Sequence, residues 1–170
     1  MTKSALLIIL SLGLAKVCLA QSQCPCCGPE YRQFDFWIGD WDVYNPEGKL
    51  VGTNQIKLMQ DSCVLQENWQ SGQSPYSGTS YNFYNQLTGE WQQLWVDSQG
   101  QHLELTGGLE GKSMVLKGSK RKDREGKEYI NRITWTPLPK QNVSQHWEIS
   151  YDDGETWKTI FDGEYRMKSE

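Results

Sequence analysis

Phe34-Asp35-Phe36-Trp37-Ile38-Gly39-Asp40-Trp41-Asp42-Val43-Tyr44 is the stretch that decides the fold. Phe34, Phe36, Trp37 and Trp41 crowd its start, and the Gly39-x-Trp41 step opens an alternating run. Just upstream, Gly28-Pro29 supplies a helix start, because proline at the first turn forfeits no hydrogen bond. Tyr31, Phe34, Trp37 and Ile38 then recur at helical spacing, and Gly39 is a natural stop. The stretch reads as a plug of one to three helical turns, α or 3₁₀, that hands the chain to a first strand.

Everything downstream alternates with period two and is broken by turn chemistry. Runs extend from Trp41–Tyr44 through Leu50–Met59, Val64–Gln70 and onward to Thr156–Met167, the last with a possible bend at Asp162-Gly163. That makes about ten strands at hairpin spacing, the pattern of an all-β sandwich or barrel. The predicted fold is an antiparallel up-and-down β-barrel with a short N-terminal helix, in one domain over residues 34–170. Ser150-Tyr151-Asp152-Asp153-Gly154-Glu155-Thr156-Trp157 fits the Asp-box pattern S-x-D-x-G-x-T-W. In that motif polar side chains tie down a turn while the tryptophan packs beneath it. A single copy marks Ser150, Asp152, Gly154 and Trp157 as structural residues.

Residues 1–20 read as a signal peptide. Lys3 precedes a short apolar run, and small residues end at Ala20, while the run is too short for a membrane span. Cleavage there would take Lys3 and Lys16 and no acid, moving the formal charge from −4 to −6. An acidic chain is a poor partner for nucleic acid, since phosphate binding needs a basic face. The one basic cluster, Lys117 to Lys127, is interrupted by Asp123 and Glu125 and reads as a solvated hairpin. Four cysteines remain after cleavage: Cys24, Cys26 and Cys27 in the Cys-rich segment 21–33, and Cys63. An even count in an exported protein implies disulfides. The expected arrangement ties the cluster to Cys63 and adds a short bridge inside it. A thiolate metal site is disfavoured because Cys26 and Cys27 are adjacent, which splays their sulfurs. No metal is expected, and periplasmic or secreted localisation follows.

The Gly39-Asp40-Trp41 step after a short helix, followed by hairpins, resembles the calycin superfamily of lipocalins and fatty-acid-binding proteins. More specifically, Phe34–Tyr44, Cys63–Trp69, Ser80–Val96 and Trp147–Tyr165 are similar to an uncharacterised family of exported bacterial lipocalin-like domains. The resemblance implies that Trp41 sits at a closed barrel end and that an arginine of the last strand, here Arg166, packs across it. It also implies a fold that hosts carriers and enzymes alike.

Residues two apart on a barrel strand share a side. Leu65/Glu67/Trp69, His102/Glu104 and His146/Glu148 therefore pose a choice of phase. One choice sends the apolar phase inward and leaves the His/Glu pairs in water. The other makes a polar lumen in which Glu67, Gln93, Arg132, His146 and Glu148 converge among Trp69, Tyr81, Trp95 and Trp135. In that second arrangement Arg132 is the natural counter-ion of Glu67 or Glu148, because buried charge persists only when paired. The expectation is an exported protein that binds a small hydrophobic or aromatic ligand through those nine residues. The alternatives are a small enzyme with Glu67, His146 and Glu148 as acid/base groups, or a structural domain with no ligand. No Gly-x-Ser-x-Gly elbow, phosphate loop or haem-attachment motif appears, so no cofactor is expected.

Overall fold

In a computed structural model of the chain, residues 24–168 are described. The signal-peptide reading of residues 1–20 lies outside them. Two 3₁₀ turns, Pro29–Arg32 and Asp35–Trp37, precede eleven strands. These are β1 (Gly39–Tyr44), β2 (Leu50–Met59), β3 (Val64–Ser71), β4 (Ser77–Asn85), β5 (Glu90–Asp97) and β6 (His102–Glu110). β7 (Ser113–Gly118), β8 (Arg121–Lys122), β9 (Glu128–Pro137), β10 (Val143–Ser150) and β11 (Lys158–Met167) follow. β1 to β7 pair in sequence, β7 pairs with β9, and β9, β10 and β11 lead back to β1, so ten strands close an antiparallel barrel. Full closure leaves no open sheet edge in the barrel. β8 is an extra ribbon on the start of β9, within the segment read from sequence as a solvated hairpin. The run after the Asp box is a single strand, β11, continuous through Asp162-Gly163.

The hairpins use one device repeatedly. Asn45, Asp97 and Asp123 each begin a loop of form Asx-x-x-Gly-x, and each turns its side-chain oxygen onto one or two backbone amides later in the loop. Asp97 Oδ1 accepts from the amides of Gln99 and Gln101, both at 2.9 Å. Asp123 Oδ1 does the same for Glu125 and Lys127. The short polar side chain supplies a turn-stabilising acceptor, and the fourth residue takes a positive φ that glycine tolerates.

The plug seals one end. Phe34 stacks on Trp37 with ring centroids 5.0 Å apart and meets Trp91 and Trp135 edge-on at 5.6 and 5.1 Å. All four rings are buried, and Trp41 donates from Nε1 to the Trp37 carbonyl at 2.9 Å. Gly39 has a φ of 152°, and a Cβ there would press on the Met167 side chain and the Trp41 ring, which explains glycine at the entry to β1. Cys26–Cys63 staples the N-terminal segment to the β2–β3 loop, and Cys24–Cys27 closes the short bridge within the cluster. Arg32 adds a hydrogen bond to the Ser62 carbonyl in that same loop. The loop needs holding, since Gln60, Asp61 and Ser62 all have positive φ, an unfavourable run for residues with a Cβ.

One structural expectation is corrected. Arg166 does not pack across Trp41. It lies on the outer face of β11, with its guanidinium 4.4 Å from the Tyr44 ring centroid and Nε bonded to Glu164 at 3.0 Å. Strand phase is the reason: Tyr165, its neighbour, is the inward residue, and that ring meets Trp41 edge-on at 6.1 Å. The Asp box is as expected. Ser150 Oγ donates to Asp152 Oδ1 at 2.7 Å and accepts from the Gly154 amide at 2.8 Å, and Trp157 Nε1 donates to the Gly154 carbonyl.

Candidate functional site

The lumen is layered, and the layers follow from residues two apart on each strand. On β3 the inward series is Leu65, Glu67, Trp69; on β5 it is Trp91, Gln93, Trp95. On β10 it is Val143, Gln145, Trp147. The first of each belongs to the closed end, the second to a polar belt, and the third to an aromatic rim. Above the belt lies a cavity of about 600 Å³. Trp69, Trp95, Trp147 and Phe161 give it aromatic walls, with Leu103, Ile133 and Ile160 beside them. Gly78 belongs to this construction: a Cβ there would collide with the Trp95 indole, so glycine lets the ring lie flat over β4.

Glu67, Gln93, Gln145 and Tyr165 form the floor. Glu67 is 4% exposed, and neutral donors surround its carboxylate. Asn54 Nδ2 donates to Oε1 at 2.7 Å and Ser80 Oγ to Oε2 at 2.6 Å. Asn82 extends the chain by donating to Ser80 Oγ at 2.8 Å, and Gln93 donates to Asn82 Oδ1 at 2.8 Å. On the other side Asn54 Nδ2 reaches the Tyr165 hydroxyl at 3.3 Å, and that hydroxyl donates to Gln145 Oε1. Burial pushes the Glu67 carboxyl up to about 7, against the opposing pull of the Ser80 and Asn54 hydrogen bonds. Burial, together with the Glu67 charge, also drives the Tyr165 phenol well above its usual range.

The cavity lining carries two carboxylates, Glu67 on the floor and Asp162 at the mouth, and no lysine, arginine or histidine. Asp97 stands close by, accepting from the Tyr76 hydroxyl at 3.2 Å. Burial and the Asp97 charge raise the Tyr76 phenol to about 12, so it stays a neutral donor.

Of the nine residues expected around a ligand, Glu67, Trp69, Gln93 and Trp95 line the cavity. Trp135 points inward too, but it packs against Phe34 and Trp37 in the sealed end. Tyr81, Arg132, His146 and Glu148 are corrected: all four are on the outer face. Tyr81 alternates with the inward Ser80 and Asn82 and is 47% exposed. Arg132 does pair with Glu148, at 3.0 and 2.7 Å, but outside the barrel. Its guanidinium lies 3.8 Å over the Trp157 ring, so the Asp-box hairpin shelters an outer ion pair. His146 sits beside them with Nε2 3.0 Å from the Thr159 hydroxyl. Sequence reasoning missed Gln145, Trp147, Phe161 and Tyr165, and the neutral partners Asn54, Ser80 and Asn82. The phase of Glu67 and Trp69, carried across the hairpins, was the signal that could have found them.

No protein-family model matches this chain, and no curated protein matches it significantly.

Proposed function

We propose that this protein is an exported carrier that binds one small, mostly apolar molecule in the open end of its barrel. One observation carries the reading: a cavity of about 600 Å³, walled by four aromatic rings and floored by a few buried polar groups. That combination of apolar walls and few convergent polar groups is the usual make-up of a small-molecule site, at a usual volume. Two disulfides among the described residues are compatible with an oxidising compartment, and no described helix is long and apolar enough to cross a membrane. A relationship to the calycin barrels is part of the proposal. The ten-strand closure and the Gly39-x-Trp41 plug support it, and the outward Arg166 counts against it.

A small enzyme is the weaker reading. It called for Glu67, His146 and Glu148 together, and only Glu67 faces the lumen. Glu67 is then left without the histidine and the second glutamate that this reading placed beside it.

The test is titration of purified, oxidised protein with N-phenylnaphthylamine, an uncharged fluorescent aromatic. Saturable one-to-one binding that is lost in Trp69→Ala and Trp95→Ala variants is expected. Absence of binding, or binding untouched by either substitution, would overturn the lumen as the site.

A further inference from the structure

Resting on the carrier reading, we infer that the ligand is a small organic cation: an ammonium group carried on an aromatic or alicyclic body, with the ammonium seated at Glu67. The lining is the first ground. It offers two carboxylates and no cationic side chain, so an anionic ligand meets only like charge. Glu67 itself is the second. It is a buried carboxylate whose neighbours, from every strand packed near it, are neutral: Asn54 on β2, Ser80 and Asn82 on β4, Gln93 on β5, Gln145 on β10 and Tyr165 on β11. Buried charges in proteins are normally paired. In this chain the outer-face carboxylate Glu148 has its arginine, while the lumen carboxylate has none. An ammonium ligand completes that pair.

The walls are the third ground. Trp69, Trp95, Trp147 and Phe161 surround the space above Glu67, and a desolvated cation gains from indole and phenyl faces. Asp162 at the mouth adds attraction on the way in. The apolar walls hold the body of the ligand, the carboxylate its charged end, and the mouth its approach.

The arrangement has a pH signature. Because burial holds Glu67 near neutrality as an acid, seating an ammonium displaces its proton. Affinity for the cation then rises with pH from about 6 to about 8, by up to about tenfold per unit below the Glu67 midpoint. A neutral ligand that accepted a hydrogen bond from protonated Glu67 would show the opposite slope.

The experiment compares naphthylethylamine, naphthylethanol and naphthylacetate by calorimetry on the oxidised protein. The amine is expected to bind about tenfold or more tighter than the alcohol at pH 8, with the acetate weakest. In Glu67→Gln the amine-to-alcohol ratio should fall towards one, and the amine's pH slope should flatten. If that variant does not fold, the slope in the wild-type protein still decides. Equal binding of amine and alcohol, a preference for the acetate, or an amine affinity that falls as pH rises would overturn the inference. Failure of N-phenylnaphthylamine to bind would instead remove the carrier reading beneath it.

Discussion

The two ends of this barrel are built from the same residue types and do opposite things with them. At the plugged end, Phe34, Trp37, Trp91 and Trp135 meet ring against ring and are excluded from solvent. At the open end, Trp69 meets Phe161 edge-on with centroids 5.9 Å apart, but these rings with Trp95 and Trp147 wall a cavity of about 600 Å³ instead of filling it. The difference is what lies beneath. The 3₁₀ plug fills the closed end, whereas a belt of side-chain amides, hydroxyls and one carboxyl sits under the open one. The Asn54, Ser80, Asn82 and Gln93 side chains of that belt donate to Glu67 or to one another, so apolar side chains cannot settle into it without leaving buried donors unmet. Aromatic content alone therefore does not mark a cavity here; aromatic side chains over a hydrogen-bonded polar layer do.

The comparison breaks first under truncation. Trp37→Ala removes a fully buried indole from the plug and is expected to cost about 3–5 kcal/mol, read from denaturant midpoints. Trp69→Ala, at the partly buried rim, should cost less than about 2 kcal/mol while abolishing probe binding. Equal losses at both positions would mean that the rim is core and the two ends do not differ in kind.

The staple of the plug comes next. Cys26 and Cys63 are 37 residues apart and Cys24 and Cys27 only 3. The chain-entropy argument assigns about 4 kcal/mol to the long loop and about 2 kcal/mol to the short one. A Cys26→Ser/Cys63→Ser pair should accordingly lower the melting temperature more than Cys24→Ser/Cys27→Ser. The reverse ranking would show that the left-handed run Gln60–Ser62 holds its shape without the bridge.

Glu67 sharpens the comparison through pH. Its folded value of about 7 lies above the ordinary 4.5, so the fold favours the neutral acid. That contribution is complete below pH about 4.5, and it is lost as pH rises through 7. It is on the order of 3 kcal/mol in all. Relative to wild type, Glu67→Gln should therefore gain stability on going from pH 5 to pH 8, measured as the difference in chemical-denaturation free energies. Parallel curves for the two proteins would place the carboxyl in a wetter environment than a 4% exposed side chain implies.

How far the sequence spoke differs between these layers for physical reasons. Period-two runs and Asx-x-x-Gly turns are local, so β2 was legible to its ends as Leu50–Met59 and the closure followed from hairpin order. The plug was legible because Phe34 and Trp37 fall on one helical face. Strand phase was legible only where one face was plainly apolar. Leu65, Glu67 and Trp69 gave the right side, since apolar neighbours bracket the acid. His146 and Glu148 did not, because Glu148 is sequestered on the outside by Arg132 and Trp157, a shelter supplied by a hairpin later in the chain. A buried polar residue signals burial, not which side it is buried on. The lumen partners Asn54, Ser80 and Asn82 were silent for a related reason. Alone each is an unremarkable strand residue, and only the closed barrel brings them onto one carboxylate.

The smallest effect belongs to the Asp box, which is tied to neither end. The Thr156 hydroxyl and amide and the Ser150 hydroxyl hold the Asp152 carboxyl down at about 2. A carboxyl depressed in the fold contributes above its ordinary value and loses that contribution as pH falls through its folded one. Asp152→Ala should then speed hydrogen exchange at the Gly154 and Thr156 amides at neutral pH, with the melting temperature almost unmoved, because the hydrogen bonds lost are local to one surface turn. The hairpin also carries Trp157, the cover of the Arg132–Glu148 pair. Faster exchange that spread along β9 and β10 would reveal that outer pair as a strut of the barrel wall. Exchange confined to residues 150–157 would leave the wall, and with it the lumen geometry, resting on the polar belt and the plug.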